Sequence, residues 1–205
     1  MKIQNKNLFI VLEGIDRSGK TTLCNLISKK INAVKFNFPD RTTNTGKKID
    51  NFLKQYCENV ENIFDNKEIN EKLHLLFRDN RLEKIPFILK TLENHDIICD
   101  RYSMSGIVYS ISKGLNEKWV KDSEKDLPIP DITFFLDVNP EISFKRQDFG
   151  NEIHDTIEFQ KKVYENYLKN KDYMIFIKND TIENMLNEIL NYINRFKINR
   201  CKRIP

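Results

Sequence analysis

The chain contains 205 residues, of which 40% are hydrophobic and 31% charged, a balance typical of one globular domain with a single sizeable core. The formal net charge of +4 is compatible with the binding of either nucleic acid or a small phosphorylated ligand. The apolar run Leu8–Leu12 is too short for a membrane span or a signal peptide, and the four cysteines are too far apart for a Cys-x-x-Cys pair. We therefore expect a cytoplasmic protein, with a nuclear location also open, whose cysteines are reduced.

Apolar runs that alternate with helical patterns predict one α/β domain over residues 1–205, built on a five-stranded parallel sheet wrapped by helices. The predicted strands are 8–12, 34–38, 96–99, 132–138 and 174–178, and the predicted helices are 21–31, 49–56, 68–93, 103–115, 156–168 and 182–196. We expect Pro86 to kink the long helix or to start a new one. Residues 116–130 are read as a polar connector, residues 140–155 as a small mobile lid, and the basic residues 195–203 as a solvated helix end.

Residues 14–21 match the phosphate-binding pattern G-x-x-x-x-G-K-[ST] without a mismatch, and they lie between a predicted strand and a predicted helix. Gly14 and Gly19 let the backbone curl so that successive N–H groups form a nest for an anion. The helix N-terminus adds partial positive charge. Lys20 is placed to reach the β- and γ-phosphates, and Thr21 offers a hydroxyl to Mg²⁺.

The phosphate loop alone leaves the reaction open. A regulatory GTPase would be expected to carry Asn-Lys-x-Asp, which this sequence lacks. Arg17 lies within the loop, where a guanidinium could supply the transition-state charge that other P-loop proteins receive from an arginine finger.

A second phosphate site is predicted at the same edge of the sheet. Arg41 follows the second predicted strand and Arg101 the third. Because ligands of open α/β sheets bind beyond the carboxyl ends of the strands, two such arginines could hold an acceptor phosphate by forked hydrogen bonds. Asp100 lies where a carboxylate could hold Mg²⁺ through water or accept a proton.

Further motifs follow the phosphate loop in a fixed order. They are Phe38-Pro39-Asp40-Arg41, Leu75-Leu76-Phe77, Asn80-Arg81, Asp100-Arg101-Tyr102, Ser105-Gly106, Leu127-Pro128 and Pro130-Asp131. With Leu12 to Thr21, this series resembles thymidylate kinases, which belong to the nucleoside-monophosphate kinase branch of P-loop proteins. A basic residue inside the loop, at Arg17, is similar to the eukaryotic and poxviral type.

The resemblance implies a P-loop kinase fold, Mg²⁺ as cofactor, and phosphorylation of dTMP to dTDP by ATP. It assigns catalysis to Arg17, Lys20, Asp100 and Arg101, and Mg²⁺ to Thr21 and Asp100. It places ATP against Gly14, Arg17, Ser18, Gly19, Lys20, Thr21, Thr22 and Arg146. It places dTMP against Asp16, Phe38, Pro39, Arg41, Phe77, Arg81, Arg101, Ser105, Gly106, Tyr109 and His154.

Individual roles also follow from the resemblance. Asp16 would accept a hydrogen bond from the sugar 3′-hydroxyl, and Tyr109 would crowd the 2′ position. Phe77 would stack on thymine. Arg81 would donate to thymine O4, where cytosine presents an amino group that is itself a donor. Arg146 would lie along adenine.

The family usually forms homodimers, which implies a second copy of the chain as partner and no stable nucleic-acid or membrane partner. The sequence departs from the family pattern at Arg78-Asp79, at Leu82 and at His154, where small residues, a tryptophan and a tyrosine are common. Two alternatives stay open here: a broader kinase that accepts dUMP or dGMP, and a nucleic-acid-binding P-loop ATPase.

Overall fold

The fold is built on a central parallel sheet. A computed structural model describes residues 6–57, 66–146 and 156–201. Within them, five parallel strands form one sheet in the order β2-β3-β1-β4-β5. The strands are β1 (Phe9–Glu13), β2 (Val34–Asn37), β3 (Ile97–Asp100), β4 (Ile132–Asp137) and β5 (Ile175–Lys178). The α/β class and the five-stranded parallel sheet predicted from the sequence are confirmed.

Helices cover both faces of the sheet. They are α1 (Lys20–Ile31), α2 (Asn44–Cys57), α3 (Lys67–Leu92), α4 (Ser103–Ser112), α5 (Glu117–Ser123), α6 (Pro140–Phe144), α7 (Ile157–Lys169) and α8 (Ile182–Cys201), with a 3₁₀ turn at Lys171–Tyr173. None of the helices in these ranges is long and apolar enough to cross a membrane.

The side chains of β1, together with Leu8 just before it, divide the core into two layers. Leu8, Ile10 and Leu12 pack with residues of α1 and α8, whereas Phe9 and Val11 pack with the end of α3. All five residues of β1 are buried, as expected for the central strand of a sheet that is covered on both faces.

Strand β1 lies between β3 and β4. The strands that follow β1 in the chain lie first on its β3 side (β2 and β3) and then on its β4 side (β4 and β5). Residue Leu12 is paired with Asp100, and Glu13 with Phe135. The phosphate loop therefore leaves the sheet at a topological switch point, where open α/β sheets bind their ligands.

The structure modifies several local predictions. Pro86 starts no new helix, because α3 runs through it without interruption. A proline inside a helix costs about 3 kcal/mol, and the burial of Ile88 and Leu92 against the sheet offsets that cost. Residues 116–130 are not only a connector, since they include α5, which begins at a cap formed by the Asn116 side chain and the Trp119 N–H at 2.9 Å.

The lid prediction is only partly within the described residues. Residues 140–144 form the short helix α6, whose first turn is capped by the Asn139 side chain at 2.8 Å from the Glu141 N–H. Residues 147–155, including His154, lie outside the described residues, so the predicted role of His154 stays a prediction.

The basic end of α8 is solvated only in part, since Arg195 is exposed but Lys197 and Arg200 form ion pairs. Lys197 Nζ lies 2.5 Å from Asp96 Oδ2, and Arg200 Nη1 lies 3.0 Å from Asp131 Oδ1. Each carboxylate also accepts the backbone N–H of a residue at the start of β1, Leu8 or Phe9. The two cations thus tie the last helix to the edge of the sheet opposite the phosphate loop.

Candidate functional site

The phosphate loop has the backbone geometry that its pattern predicts. Gly19 has φ +94° at the start of α1, a conformation that glycine adopts without steric cost. A Cβ on Gly14 would lie 2.6 Å from the Ser18 hydroxyl, so the loop closes over itself only with glycine there. Arg17 takes a left-handed conformation with φ +60° despite its side chain. Such a conformation in a non-glycine residue is typical of functional sites.

Lys20 is buried inside the phosphate loop, in which it is expected to bind phosphate. Its Nζ donates to the Ile15 carbonyl at 2.6 Å and lies 3.2 Å from the Ser18 hydroxyl. Burial, followed by the charge of Arg101, lowers the pKa of Lys20 to about 8. An anionic phosphate in the loop would favour the charged form of this amine again.

Thr21 and Asp100 meet at the edge of the loop, as the Mg²⁺ assignment requires. The Thr21 hydroxyl donates to Asp100 Oδ2 at 2.5 Å. Within the described residues, no three His, Cys, Asp or Glu side chains form a cluster that could hold a metal alone. One hydroxyl and one carboxylate nevertheless fit Mg²⁺ bound mainly by phosphate and water, because this ion prefers oxygen ligands and keeps several waters.

The predicted phosphate ligand Arg101 contacts the predicted sugar ligand Asp16. The Arg101 guanidinium is ion-paired with the Asp16 carboxylate and donates to the Gly14 carbonyl at 3.0 Å. It also lies 5.2 Å from the centre of the Tyr109 ring, whose hydroxyl donates to Asp16 at 2.9 Å. Three residues that the sequence predicts for dTMP therefore form one cluster beside the phosphate loop.

Gln160 on α7 belongs to the same cluster and escaped prediction. Its Nε2 donates to Asp16 Oδ2 at 2.6 Å, and its Oε1 accepts the Asp16 N–H at 3.2 Å. A single glutamine in an amphipathic helix carries no sequence signal of this kind.

Glu13 is a second residue that the sequence analysis missed. Its carboxylate is fully buried and accepts the backbone N–H groups of Tyr102 and Ser105, at 2.9 and 3.1 Å. The hydroxyls of Ser105 and Tyr167 donate to its other oxygen. Glu13 thereby fixes the first turn of α4 next to Arg101, and the structure places Ser105 in this support rather than in an open pocket.

Arg41 follows β2 as predicted, but it does not contact the phosphate loop in this structure. It is exposed and paired with Asp50 on α2. Its backbone segment is anchored by Asn80, which is fully buried and accepts the Asp40 N–H at 2.7 Å. The Asn80 amide also donates to the Asp40 carbonyl and to the hydroxyls of Thr43 and Thr45.

Arg81 lies on the same face of α3 as Phe77, one helical turn further on. Its guanidinium is 3% exposed and ion-paired with Glu124, which follows α5. A Cβ on Gly106 would lie 2.4 Å from Arg81 Nη2, so glycine lets α4 approach the pair. Phe77 is half-buried. The structure thus brings Arg81 and Gly106 together, one helical turn from Phe77 on α3.

The remaining predicted dTMP residues lie at the end of β2. Phe38 is buried and packs on Tyr102 with ring centres 5.6 Å apart, so it is part of the core. Pro39 is half-buried and leads into the Arg41 segment.

A cavity of about 630 Å³ opens on the other side of the phosphate loop. Arg146 lines it and donates to the Arg17 carbonyl at 2.8 Å and to the Asn179 side chain at 3.1 Å. The cavity is lined by Arg17, Gly19, Lys20, Thr21, Thr22, Arg146, Asp180, Thr181 and Ile182. The predicted ATP residues from Arg17 onwards, except the buried Ser18, therefore face one space.

Comparison with known proteins agrees with this geometry. A family model described as thymidylate kinase matches residues 12–189. The chain is 41% identical over 174 residues to a thymidylate kinase of Schizosaccharomyces pombe, covering 82% of this chain and 78% of that protein. It is 41% identical over 194 residues to one of Dictyostelium discoideum, covering 90% and 83%. A solved thymidylate kinase structure from Candida albicans matches with a TM-score of 0.78 at 29% identity, covering 95% of each chain.

Proposed function

Because the chain belongs to the thymidylate kinase family, we propose that it transfers the γ-phosphoryl group of ATP to the phosphate of dTMP, which yields dTDP and ADP. An oxygen of the dTMP phosphate bonds to the γ-phosphorus, and the bond from that phosphorus to the β–γ bridging oxygen breaks. The observation that carries this proposal is that one phosphate loop contributes to two sites. It lines the cavity beside Arg146 and also joins the cluster of Arg101 and Asp16.

The donor site binds the phosphates of ATP by backbone and side chain together. Lys20 is held at the centre of the loop by the Ile15 carbonyl and becomes fully charged when phosphate oxygens replace that partner. Arg17 lines the cavity and follows Asp16 of the acceptor cluster in the chain, and its guanidinium stabilises the charge that develops on the transferred group. Arg146 and Ile182 line the part of the cavity left for adenine.

Thr21 and Asp100 are the residues that would hold Mg²⁺, which neutralises phosphate charge when it is bound. Their oxygen atoms satisfy the preference of this ion. Asp100 keeps the Thr21 hydroxyl in place at the start of α1.

The acceptor site is assembled around Arg101. Its guanidinium binds the dTMP phosphate. Asp16 accepts a hydrogen bond from the sugar 3′-hydroxyl, which replaces part of the contact between Asp16 and Arg101. Tyr109 and Gln160 keep the Asp16 carboxylate oriented toward the sugar. Arg41 completes the phosphate site from the end of β2. Catalysis is then positioning plus electrostatic stabilisation, and it needs no protein nucleophile.

An acceptor panel tests this proposal. ADP release from ATP is measured with dTMP, dUMP, dGMP, dCMP and thymidine at equal concentrations. We expect dTMP to give the highest kcat/KM and thymidine to give none, because its missing phosphate leaves Arg101 unused. Equal rates without any acceptor, or stimulation by DNA alone, would instead support the ATPase alternative, which the comparisons do not favour. The homodimer and the cytoplasmic location stay predictions.

A further inference from the structure

A buried ion pair joins Arg81, on the face of α3 that carries Phe77, to Glu124. Arg81 Nε lies 3.1 Å from Glu124 Oε2, and Arg81 Nη2 donates to Glu124 Oε1. Both side chains are 3% exposed. The carboxylate therefore binds one edge of the guanidinium through both of its oxygens, which fixes the position and the plane of the guanidinium.

The pair leaves donors of Arg81 unused. A guanidinium has five N–H groups, and Glu124 accepts two of them. Among the residues that the structure describes, no acceptor faces Nη1. Nη1 is not among the fully buried polar atoms without a partner in the described residues, so this side of the guanidinium stays open to a ligand acceptor.

His74 holds the carboxylate side of the pair in place. Its Nδ1 lies 2.7 Å from the Ser110 hydroxyl and its Nε2 lies 2.6 Å from the Ser123 hydroxyl. Both hydroxyls are within hydrogen-bond distance of the ring, and Ser123 also donates to the Val120 carbonyl. Burial, followed by the charge of Arg81, lowers the pKa of His74 to about 4, so the ring is neutral at pH 7.

This histidine ties three helices together. His74 lies on α3, Ser110 on α4 and Ser123 on α5, the residue just before Glu124. His74 Nε2 is also 3.8 Å from Glu124 Oε1. The backbone around Glu124 is therefore fixed independently of Arg81. As a result, the Glu124 carboxylate can hold the guanidinium in one position.

We propose that Glu124 is a positioning residue for acceptor-base selection, which holds Arg81 so that only its Nη1 side meets the base. The inference rests on the proposed function, since it concerns the same acceptor site. A base with an acceptor oxygen at this point, such as thymine, satisfies the free donors, whereas a base with an amino group there leaves them unpaired. Without the carboxylate, the guanidinium turns and this discrimination is lost.

The test is steady-state kinetics with dTMP and dCMP for the wild type and Glu124→Gln. We expect Glu124→Gln to raise KM for dTMP about tenfold or more, to change kcat less than about threefold, and to lower the dTMP-to-dCMP ratio of kcat/KM at least about tenfold. Glu117→Gln is the matched control, since Glu117 is exposed on α5, the helix that Glu124 follows, and is ion-paired with Lys121. It should leave the ratio unchanged.

Two further variants separate selection from folding. Glu124→Asp keeps the charge on a shorter side chain and should give a ratio between those of the wild type and Glu124→Gln. In an Arg81→Met background, Glu124→Gln should lower the ratio no further, because its effect passes through Arg81. If Glu124→Gln does not fold, the Glu124→Asp variant decides: a lowered ratio supports the proposal and an unchanged ratio overturns it.

The outcomes distinguish the two proposals. A wild type that does not phosphorylate dTMP refutes the proposed function. A wild type that does so, while folded Glu124→Gln keeps the wild-type ratio, refutes only the role of Glu124. A further loss of ratio in the Arg81→Met background also overturns it.

Discussion

Asn80→Ala should weaken both the fold and the binding of the acceptor phosphate. Asn80 is fully buried on α3, and its amide joins the segment from Asp40 to Thr45 that carries Arg41. Gly46 packs closely against the same segment, because a Cβ there would lie 2.1 Å from the Asp40 carbonyl oxygen. Truncating Asn80 removes the hydrogen bonds while leaving α3 intact.

The size of the effect follows from the bonds that are lost. The Asn80 oxygen accepts one N–H at 2.7 Å, and its two N–H groups share three acceptors at 2.8 to 3.1 Å. Three hydrogen bonds at about 0.5–1.5 kcal/mol each, with water replacing some of them in this half-exposed segment, give about 2–3 kcal/mol. For a chain of this length the Tm should fall by roughly 4–12 °C.

The kinetic consequence is specific to the acceptor. Loss of one charge-assisted contact from Arg41 corresponds to about tenfold or more in KM for dTMP. KM for ATP should stay within about twofold, because the donor cavity does not include this segment. Calorimetry and initial-rate kinetics measure the two effects. Asn191→Ala, at an exposed position of α8, is the control. A lowered Tm with an unchanged KM for dTMP would refute the link between this anchor and Arg41.

Three other outcomes are expected. Arg17→Ala and Lys20→Met should each lower kcat by roughly two to three orders of magnitude; a near-normal kcat for Arg17→Ala would remove its transition-state role. Arg200→Ala leaves the Asp131 carboxylate without its cation and should destabilise the protein by about 1–2 kcal/mol, measured by chemical denaturation, with kcat unchanged; an unaltered stability would place the end of α8 in solvent. ATP binding at pH 8 should take up protons, because the pKa of Lys20 is lowered to about 8 in the free protein and phosphate raises it. Calorimetric heats that do not depend on the ionisation enthalpy of the buffer would contradict this.

Patterns that depend on nearest neighbours in the chain were predictable from the sequence. Apolar runs located all five strands, and the glycine spacing of residues 14–21 located the phosphate loop. The order of the strands in the sheet was not predictable in this way, because it depends on packing between segments far apart in the chain.

The errors have two different physical causes. Helix α5 escaped prediction because its charged residues pair with one another at i,i+4, as Lys118 does with Asp122, and so conceal a short apolar side. The cations of α8 resembled a solvated end because their partners, Asp96 and Asp131, lie more than 60 residues away.

The residues of the site also divide into those that a sequence motif reveals and those that no motif reveals. The residues predicted to contact ligands fall within motifs, and the structure brings Asp16, Arg101 and Tyr109 together. Residues that support them, such as Gln160 and Glu124, have no motif, because a single polar side chain in a helix has many possible roles.

The most direct test of the central claim is to follow the transferred group itself. The purified protein is incubated with dTMP, Mg²⁺ and ATP labelled in its γ-phosphate, and the nucleotides are separated. We expect the label in the β-phosphate of dTDP, with one ADP formed for each dTDP. Label recovered as inorganic phosphate, with dTMP unchanged, would contradict it.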